Sequence, residues 1–409
     1  MPVLYLILAA SSFYIVYNRI KNDVLHPVAI LTSIWFITAA ISSLQWGSYQ
    51  HEWSIGVHVM IISSGMICWL AGYLAIRRVN SIITIDKPIN DSFRIITRMI
   101  FVVSLLFVIM VFLKNGINLS YLKNVGGADL KTEVGDNLTG ISSLESYMIN
   151  LFPFCAIFSF FEIMYAEKEE KKYLYNITVI ALVFLYCLRV LYSRGTLLYL
   201  LLGFLFIFNS KRKIPIRILA LSLIGVLVLL GIVMGTRVYS GSVVFMGVKH
   251  VRNPIIASAY NYIAYSFENF SIIAERGSRY QIFANVFQSV YKLIGLYKPN
   301  QVIANEVAGV FNSLTWLSPF YDDLGAFGVI LYPGLISFFL AKCYNKSQYN
   351  KYYILVLAVM QKAVFVPFFG NYFLTTLSVM FPYIVTGLLC FFARRVVIRV
   401  PKFKMRLKR

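Results

Sequence analysis

Two adjacent carboxylates, Asp322 and Asp323, stand in FNSLTWLSPFYDDLGAFG, and no acidic residue follows them in the chain. A carboxylate beside a hydroxyl serves as a general base, and one at a helix start serves equally as a cap. Upstream, ERGSR sets Arg276 and Arg279 three residues apart, the spacing that places two side chains on one helix face. Guanidinium forks match phosphate oxygens in pairs. The same stretch holds two further groups able to accept a proton. Glu268 is one; His250, the only histidine between 235 and 326, is the other. A lone histidine is also a common packing residue, so His250 carries both readings. Arg237, Arg252 and Tyr321 complete the polar set. Nothing in the chain reads as a DxD pair, a P-loop, a nucleophile elbow or an HExxH helix. The residues therefore point to displacement of a phosphorylated leaving group by a hydroxyl, with no metal and no cofactor.

Three more cations sit where a charge is costly. YCLRVLYSRGTLLYL carries Arg189 and Arg194 inside an otherwise apolar run, and Lys362 lies within VMQKAVFVPF. An arginine at a bilayer centre costs about 2.5–3.5 kcal/mol even on lenient insertion scales. Cations near helix ends commonly snorkel to ordinary headgroups. The SRGT element adds Ser193 as a candidate N-cap and free amides at the start of the next helix, which is a natural anion site. Arg189, Arg194 and Lys362 are accordingly candidates for binding an anion, and the anion nearest a membrane surface is a lipid phosphate or diphosphate.

The elements that position these groups follow from composition. The 409 residues are 59% hydrophobic and only 13% charged, against about 45–50% and 25% in soluble domains. The class expected is all-α and polytopic. Five cysteines without a CxxC pair indicate neither a disulfide framework nor a metal site. Apolar runs long enough to span fall near 2–17, 27–45, 55–76, 99–113, 145–165, 174–192, 196–209, 218–234, 327–343, 353–369 and 373–392, about eleven in all. The expected organisation is eight spans in 1–234 with a smaller external loop at 114–145, then a large external loop at 235–326. Three spans in 327–393 and a basic tail at 394–409 complete it. Apolar residues at helical spacing in the large loop (Ile256, Tyr260, Ile263, Phe267; Ile282, Val286, Val290, Leu293) predict helices lying on or dipping into the membrane face.

Lys and Arg fix the orientation. The tail from Arg394 holds eight of them and no acid, and NRIKND, EKEEKKY and SKRKIPIR fall on the same side of the count. WGSYQHEWS and GNYF, on the other side, carry none. The C-terminus is expected in the cytoplasm and, with an odd number of spans, the N-terminus outside.

This layout resembles the O-antigen polymerases. The likeness rests on the span count, the SRG turn midway, the late large loop and one segment entering the next span. That segment reads N-x-x-T-x-L-x-x-F-Y-x-D-x-G-x-x-G: Asn312, Thr315, Leu317, Phe320, Tyr321, Asp323, Gly325 and Gly328. The resemblance implies a GT-C-like fold in a bacterial inner membrane. It implies an enzyme that moves a growing glycan from undecaprenyl diphosphate to a new lipid-linked repeat unit at the periplasmic face. Undecaprenyl-diphosphate-linked oligosaccharides, membrane lipids and a chain-length co-polymerase are the implied partners. Two other readings remain open: an O-antigen ligase, which transfers finished glycan to lipid A core, and a lipid-linked oligosaccharide flippase or transporter. The charge asymmetry gives a direct test. A topology reporter fused after Arg409 is expected to read cytoplasm and one inserted near Lys298 periplasm; the opposite result at either site overturns the orientation.

Overall fold

The computed structural model describes residues 1–20, 23–77, 89–114, 142–166, 173–190, 194–215, 248–281, 283–288, 291, 313–374 and 377–395. These form a helical bundle. Among them the only β pairing is two isolated bridges, Gly47 with Val248 and Val248 with Val251. The helices are α1 (Pro2–Arg19), α2 (Pro27–Ser42), α3 (Ile55–Ala75), α4 (Asp91–Lys114), α5 (Ser143–Leu151), α6 (Phe154–Tyr165) and α7 (Tyr173–Leu185). A π-helical turn, Tyr186–Val190, extends α7. There follow α8 (Arg194–Lys211), α9 (Pro254–Arg276), α10 (Leu317–Ser347), α11 (Tyr352–Val359), α12 (Gln361–Phe365) and α13 (Leu377–Arg395).

Local sequence explains the boundaries. Proline opens α1, α2 and α9, where its missing N–H costs nothing. A capping box starts α5: Ser142 Oγ accepts from the Glu145 amide and Glu145 Oε2 from the Ser142 amide. The apolar run at 145–165 becomes two helices because Pro153 has no amide to donate.

Among the described residues, three helices are long and apolar enough to cross a membrane, Ile55–Ala75, Asp91–Lys114 and Leu317–Ser347, and Ser143–Tyr165 joins them when taken across its break. The most apolar stretch of α4 has only 28% of its residues buried. A helix that apolar and that uncovered belongs in lipid. The expected span at 99–113 extends back to Asp91, and the one at 327–343 extends over Leu317–Ser347. The expected span at 218–234, the smaller loop after Lys114, and Arg237 lie outside the described residues.

Helix α10 organises the rest. It runs along α3, touches α2, α9 and α11, and bends at Gly325 (φ 61°, ψ −148°). The bend needs glycine twice. Gly325 occupies a backbone region that side chains disfavour, and a Cβ on Gly328 would sit 2.1 Å from the Phe320 carbonyl oxygen. The Phe320 ring then stacks on Tyr332 across the bend at 4.6 Å. Aromatic contacts tie this head to the bundle: Trp316 packs on Trp35 of α2 and on Phe373, and Trp35 on Phe267 of α9.

In the stretch expected as a large loop, helix α9 is wedged into the bundle, with 13 of its 23 residues buried. Its inward side is polar as well as apolar, and Glu268, Asn269 and Ser266 find partners in the α2–α3 connection and at Ser313. Ile256 is exposed, while Tyr260 and Phe267 are buried. Gly277 (φ 92°) ends α9, residues 283–287 form turns, and residues 288 and 291 are helical; Ile282, Val290 and Leu293 lie outside the described residues.

The chain alternates between two ends of the bundle. One end gathers Asp322 and the α2–α3 connection; the other gathers the α1–α2 connection and the C-terminal ends of α8 and α10. At the second end Asp23 is almost wholly buried. It accepts from Asn209 Nδ2 at 2.8 Å, from the Leu25 amide at 3.2 Å, and from Lys213 Nζ and the Tyr344 hydroxyl. Burial alone would raise this carboxyl; Lys213 and the side-chain donors outweigh it and hold it below the usual carboxylate range. His26, in the same connection, caps α2 by accepting from the Val28 amide, and its ring meets Tyr344 at 4.1 Å.

Burial pushes the His26 imidazole down to about 3, against the pull of the Asp23 charge. An unfolded histidine takes its proton near pH 6.5, so only the unfolded chain is protonated here between there and about 3. Stability is therefore lost as pH falls, by up to about 1.4 kcal/mol per pH unit. The Asp23 contribution is retained until pH drops below the unfolded carboxylate range, so between pH 6.5 and 4.5 the His26 share is the difference between the wild type and a His26 variant. In detergent, the thermal midpoint of the wild type is expected to fall across that window, and His26→Asn, which keeps a capping side chain, to flatten the profile. Parallel profiles would remove His26 as the cause.

Candidate functional site

The site is built where the head of α10 meets the segment that follows α9. Pro319 falls in the first turn of α10, where no amide is needed. The Trp316 amide donates to the Pro367 carbonyl at 2.9 Å, fixing the start of the helix. The turns before the Gly325 bend then carry Asp322 and Asp323 into the protein, both with 0% exposure.

The two carboxylates are held differently. Arg279 Nε donates to both oxygens of Asp322 at 2.9 Å and its Nη2 to Oδ2, while Arg276 Nη2 lies 3.6 Å from Oδ1. Asn285 Nδ2 adds a 2.9 Å bond to Oδ2. Asp323 has neutral donors: the Asn285 amide at 2.9 Å, Asn285 Nδ2 at 2.8 Å and the Val286 amide at 2.8 Å. A carboxylate offers about four lone-pair directions. Three donors leave Asp323 room for one more, and no cation pairs with it among the described residues. The formal charges of Arg276, Arg279, Asp322 and Asp323 cancel, which makes this burial tolerable in a low dielectric.

Arg276 and Arg279 do converge, though not on one helix face. Gly277 breaks the helix between them, and both reach Asp322 from either side of the break. They do not form an open fork. The Arg279 fork is spent on Asp322, and the Arg276 side chain is 37% exposed.

The segment 277–288, described except for residue 282, lies over the carboxylates as a strap. Ser278 Oγ donates to the Asp322 carbonyl at 3.1 Å. Tyr280 (φ 48°) and Phe283 (φ 67°) both sit in the left-handed region. That conformation is uncommon for a bulky side chain and stores backbone strain that the surrounding contacts must hold. The Tyr280 hydroxyl stands 2.9 Å from the place a Cβ would take on Gly325.

The other expected residues fall elsewhere. Glu268 is fully buried and its oxygens are taken: the His51 amide at 3.1 Å and ring Nδ1 at 2.7 Å meet Oε1, and Trp53 Nε1 meets Oε2 at 3.0 Å. It clamps the α2–α3 connection to α9 instead of facing the strap. His250 (φ 65°) and Arg252 are exposed on the turn that the Gly47–Val248 bridge pins to that connection. The His250 ring packs edge-on to Trp46. Tyr321 donates to the Ala274 carbonyl at 3.0 Å, joining α9 to α10. Lys362 is half-buried, its ammonium 3.9 Å from the centre of the Tyr372 ring. Arg189 lies in the π-helical turn and Arg194 is the first residue of α8; their side chains are outside the described residues.

Sequence reasoning missed Asn285, which serves both carboxylates, and the strap that delivers it. An asparagine in YQIFANVF carries no local signal, since its partners lie in α10. Among the described residues no group of three His, Cys, Asp or Glu is placed to hold a metal ion. No protein-family model, curated protein or solved structure matches the chain.

Proposed function

We propose that the chain is a lipid-diphosphate-dependent glycosyltransferase of the O-antigen polymerase kind. In this reading it joins undecaprenyl-diphosphate-linked oligosaccharide repeat units at the periplasmic face of a bacterial inner membrane. The observation that carries the reading is the unequal holding of the two buried carboxylates. Asp322 is neutralised by arginines and serves as structure. Asp323 is held by neutral donors alone, with one acceptor direction to spare for a hydroxyl proton, as a general base requires.

The mechanism follows from that division. The acceptor sugar's hydroxyl gives its proton to an Asp323 oxygen as its own oxygen bonds to the donor's anomeric carbon. The bond from that carbon to the diphosphate breaks, and the leaving group departs with the electron pair. Because Asp323 is buried, the strap over it lifts to admit the acceptor, and the strained Tyr280 and Phe283 backbone favours the opening. Arg276, whose side chain is partly exposed, turns to the diphosphate charge as the strap moves. Tyr280 and Tyr321 offer ring faces to sugars. A chain-length co-polymerase is the expected partner.

The test is reconstitution of purified protein with undecaprenyl-diphosphate-linked repeat units, read as a glycan ladder. Wild-type protein is expected to build the ladder and Arg279→Lys to build about tenfold less, because a point charge cannot replace the bidentate fork under the strap. Attachment of glycan to lipid A core instead would make the protein a ligase. Unchanged substrate in both samples would leave transport.

A further inference from the structure

A mostly apolar recess with a few polar groups opens between the α5–α6 junction, the first turns of α8, α12 and the start of α13. It measures about 120 Å³, several times the space one water needs. Phe154 and Pro382 form part of its apolar wall, and Lys362, Tyr199, Thr196 and Asn150 supply polar atoms. Its mouth lies beside Asn150, which is exposed.

Three independent features make this recess anion-seeking. Tyr199 is 3% exposed, and its hydroxyl has no hydrogen-bond partner. A buried hydroxyl left without a partner is costly and demands a ligand or ordered water. Lys362 brings a cation into an apolar lining, and no carboxylate pairs with it among the described residues; its ammonium rests on the Tyr372 ring. Thr196 stands in the first turn of α8, an 18-residue helix whose N-terminal amides and dipole favour negative charge. The wall supplies the rest of the specificity. Phe154, Pro153, Val379 and Pro382 suit hydrocarbon, and the neighbouring helix α13 carries large exposed apolar side chains, Ile384 and Leu388, such as a lipid chain would lie against.

We propose that this recess binds the phosphoryl headgroup of an amphipathic lipid, Lys362 and the Tyr199 hydroxyl donating to its oxygens beside the N-terminus of α8. The recess is distinct from the Asp322 cluster but joined to it. The segment after α12 reaches the head of α10 through Pro367 and Phe373, which meet Trp316. In naming a polyprenyl diphosphate as the physiological occupant, the inference rests on the polymerase reading above. On that reading, the donor lipid is held by Lys362 and Tyr199 while its sugar reaches Asp323.

Binding of farnesyl diphosphate to the detergent-purified full chain tests it, with farnesol, inorganic pyrophosphate and phosphatidylglycerol as comparison probes. Farnesyl diphosphate is expected to bind and farnesol not to. Lys362→Met is expected to weaken binding about tenfold or more and Tyr199→Phe severalfold, as loss of hydrogen bonds to a charged group predicts; Lys362→Arg keeps most of the affinity. Unchanged binding in both Lys362→Met and Tyr199→Phe overturns the site. Pyrophosphate binding as tightly as farnesyl diphosphate overturns the lipid assignment. Phosphatidylglycerol binding as tightly, with the same sensitivity to both variants, supports the phosphoryl-lipid site and removes the donor lipid as its special occupant. No glycan transfer enters this measurement. Failure of the wild type to bind farnesyl diphosphate sinks the recess whether or not ladders form, and normal wild-type binding without ladders sinks the polymerase reading alone.

Discussion

The ion pair between Asp322 and Arg279 is the contact on which the Asp322 end is built. A carboxylate taken wholly out of water costs several kcal/mol unless donors surround it, and Asp322 obtains them only if the chain after α9 turns back over the head of α10. Gly277 ends the helix, Arg276 and Arg279 approach from either side, and Asn285 arrives with its amide and side chain. Tyr321 then reaches the Ala274 carbonyl, and α9 is committed to its wedge between α2 and α10. The Gly325 bend belongs to the same constraint, since it places Tyr280 of the strap against the bend.

A similar economy operates at the far end. Asp23 is buried and gathers Lys213, Asn209 and Tyr344, so that the α1–α2 connection, the end of α8 and the end of α10 are tied by one carboxylate. In a bundle whose outer surface meets hydrocarbon, apolar burial contributes little to holding helices together. Buried polar contacts with few alternatives supply the specificity, and α10 carries one at each end.

The sequence made the helices legible and hid their company. Long apolar runs read as helices because composition alone decides them, and the start of α9 at Asn253-Pro254 follows from capping chemistry. Asp322, Asp323, Arg276 and Arg279 were recognisable as a set because charged residues are so scarce in this chain. How they pair was not recognisable: the three-residue spacing in ERGSR assumed a helix that Gly277 ends, and it is the turn that sends both arginines to one carboxylate. Glu268 looked like a free acid for the same reason, as its partners His51 and Trp53 belong to a distant connection. Asn285, Tyr199 and the Asp23 network depend on long-range register, which no local pattern records. The helical spacing that begins at Ile282 carries no sign that the carboxylates of α10 claim the Asn285 and Val286 amides, which sit in turns.

In the proposed function, catalysis rests on one oxygen atom pair, that of Asp323, while Asp322 serves as structure. Glycan ladder formation by purified Asp323→Asn protein is the most direct measure of that claim, read alongside its thermal midpoint in detergent. The account predicts a variant that stays folded, still binds the lipid-linked repeat unit, and extends no chains. A ladder of normal length and yield from Asp323→Asn would contradict it.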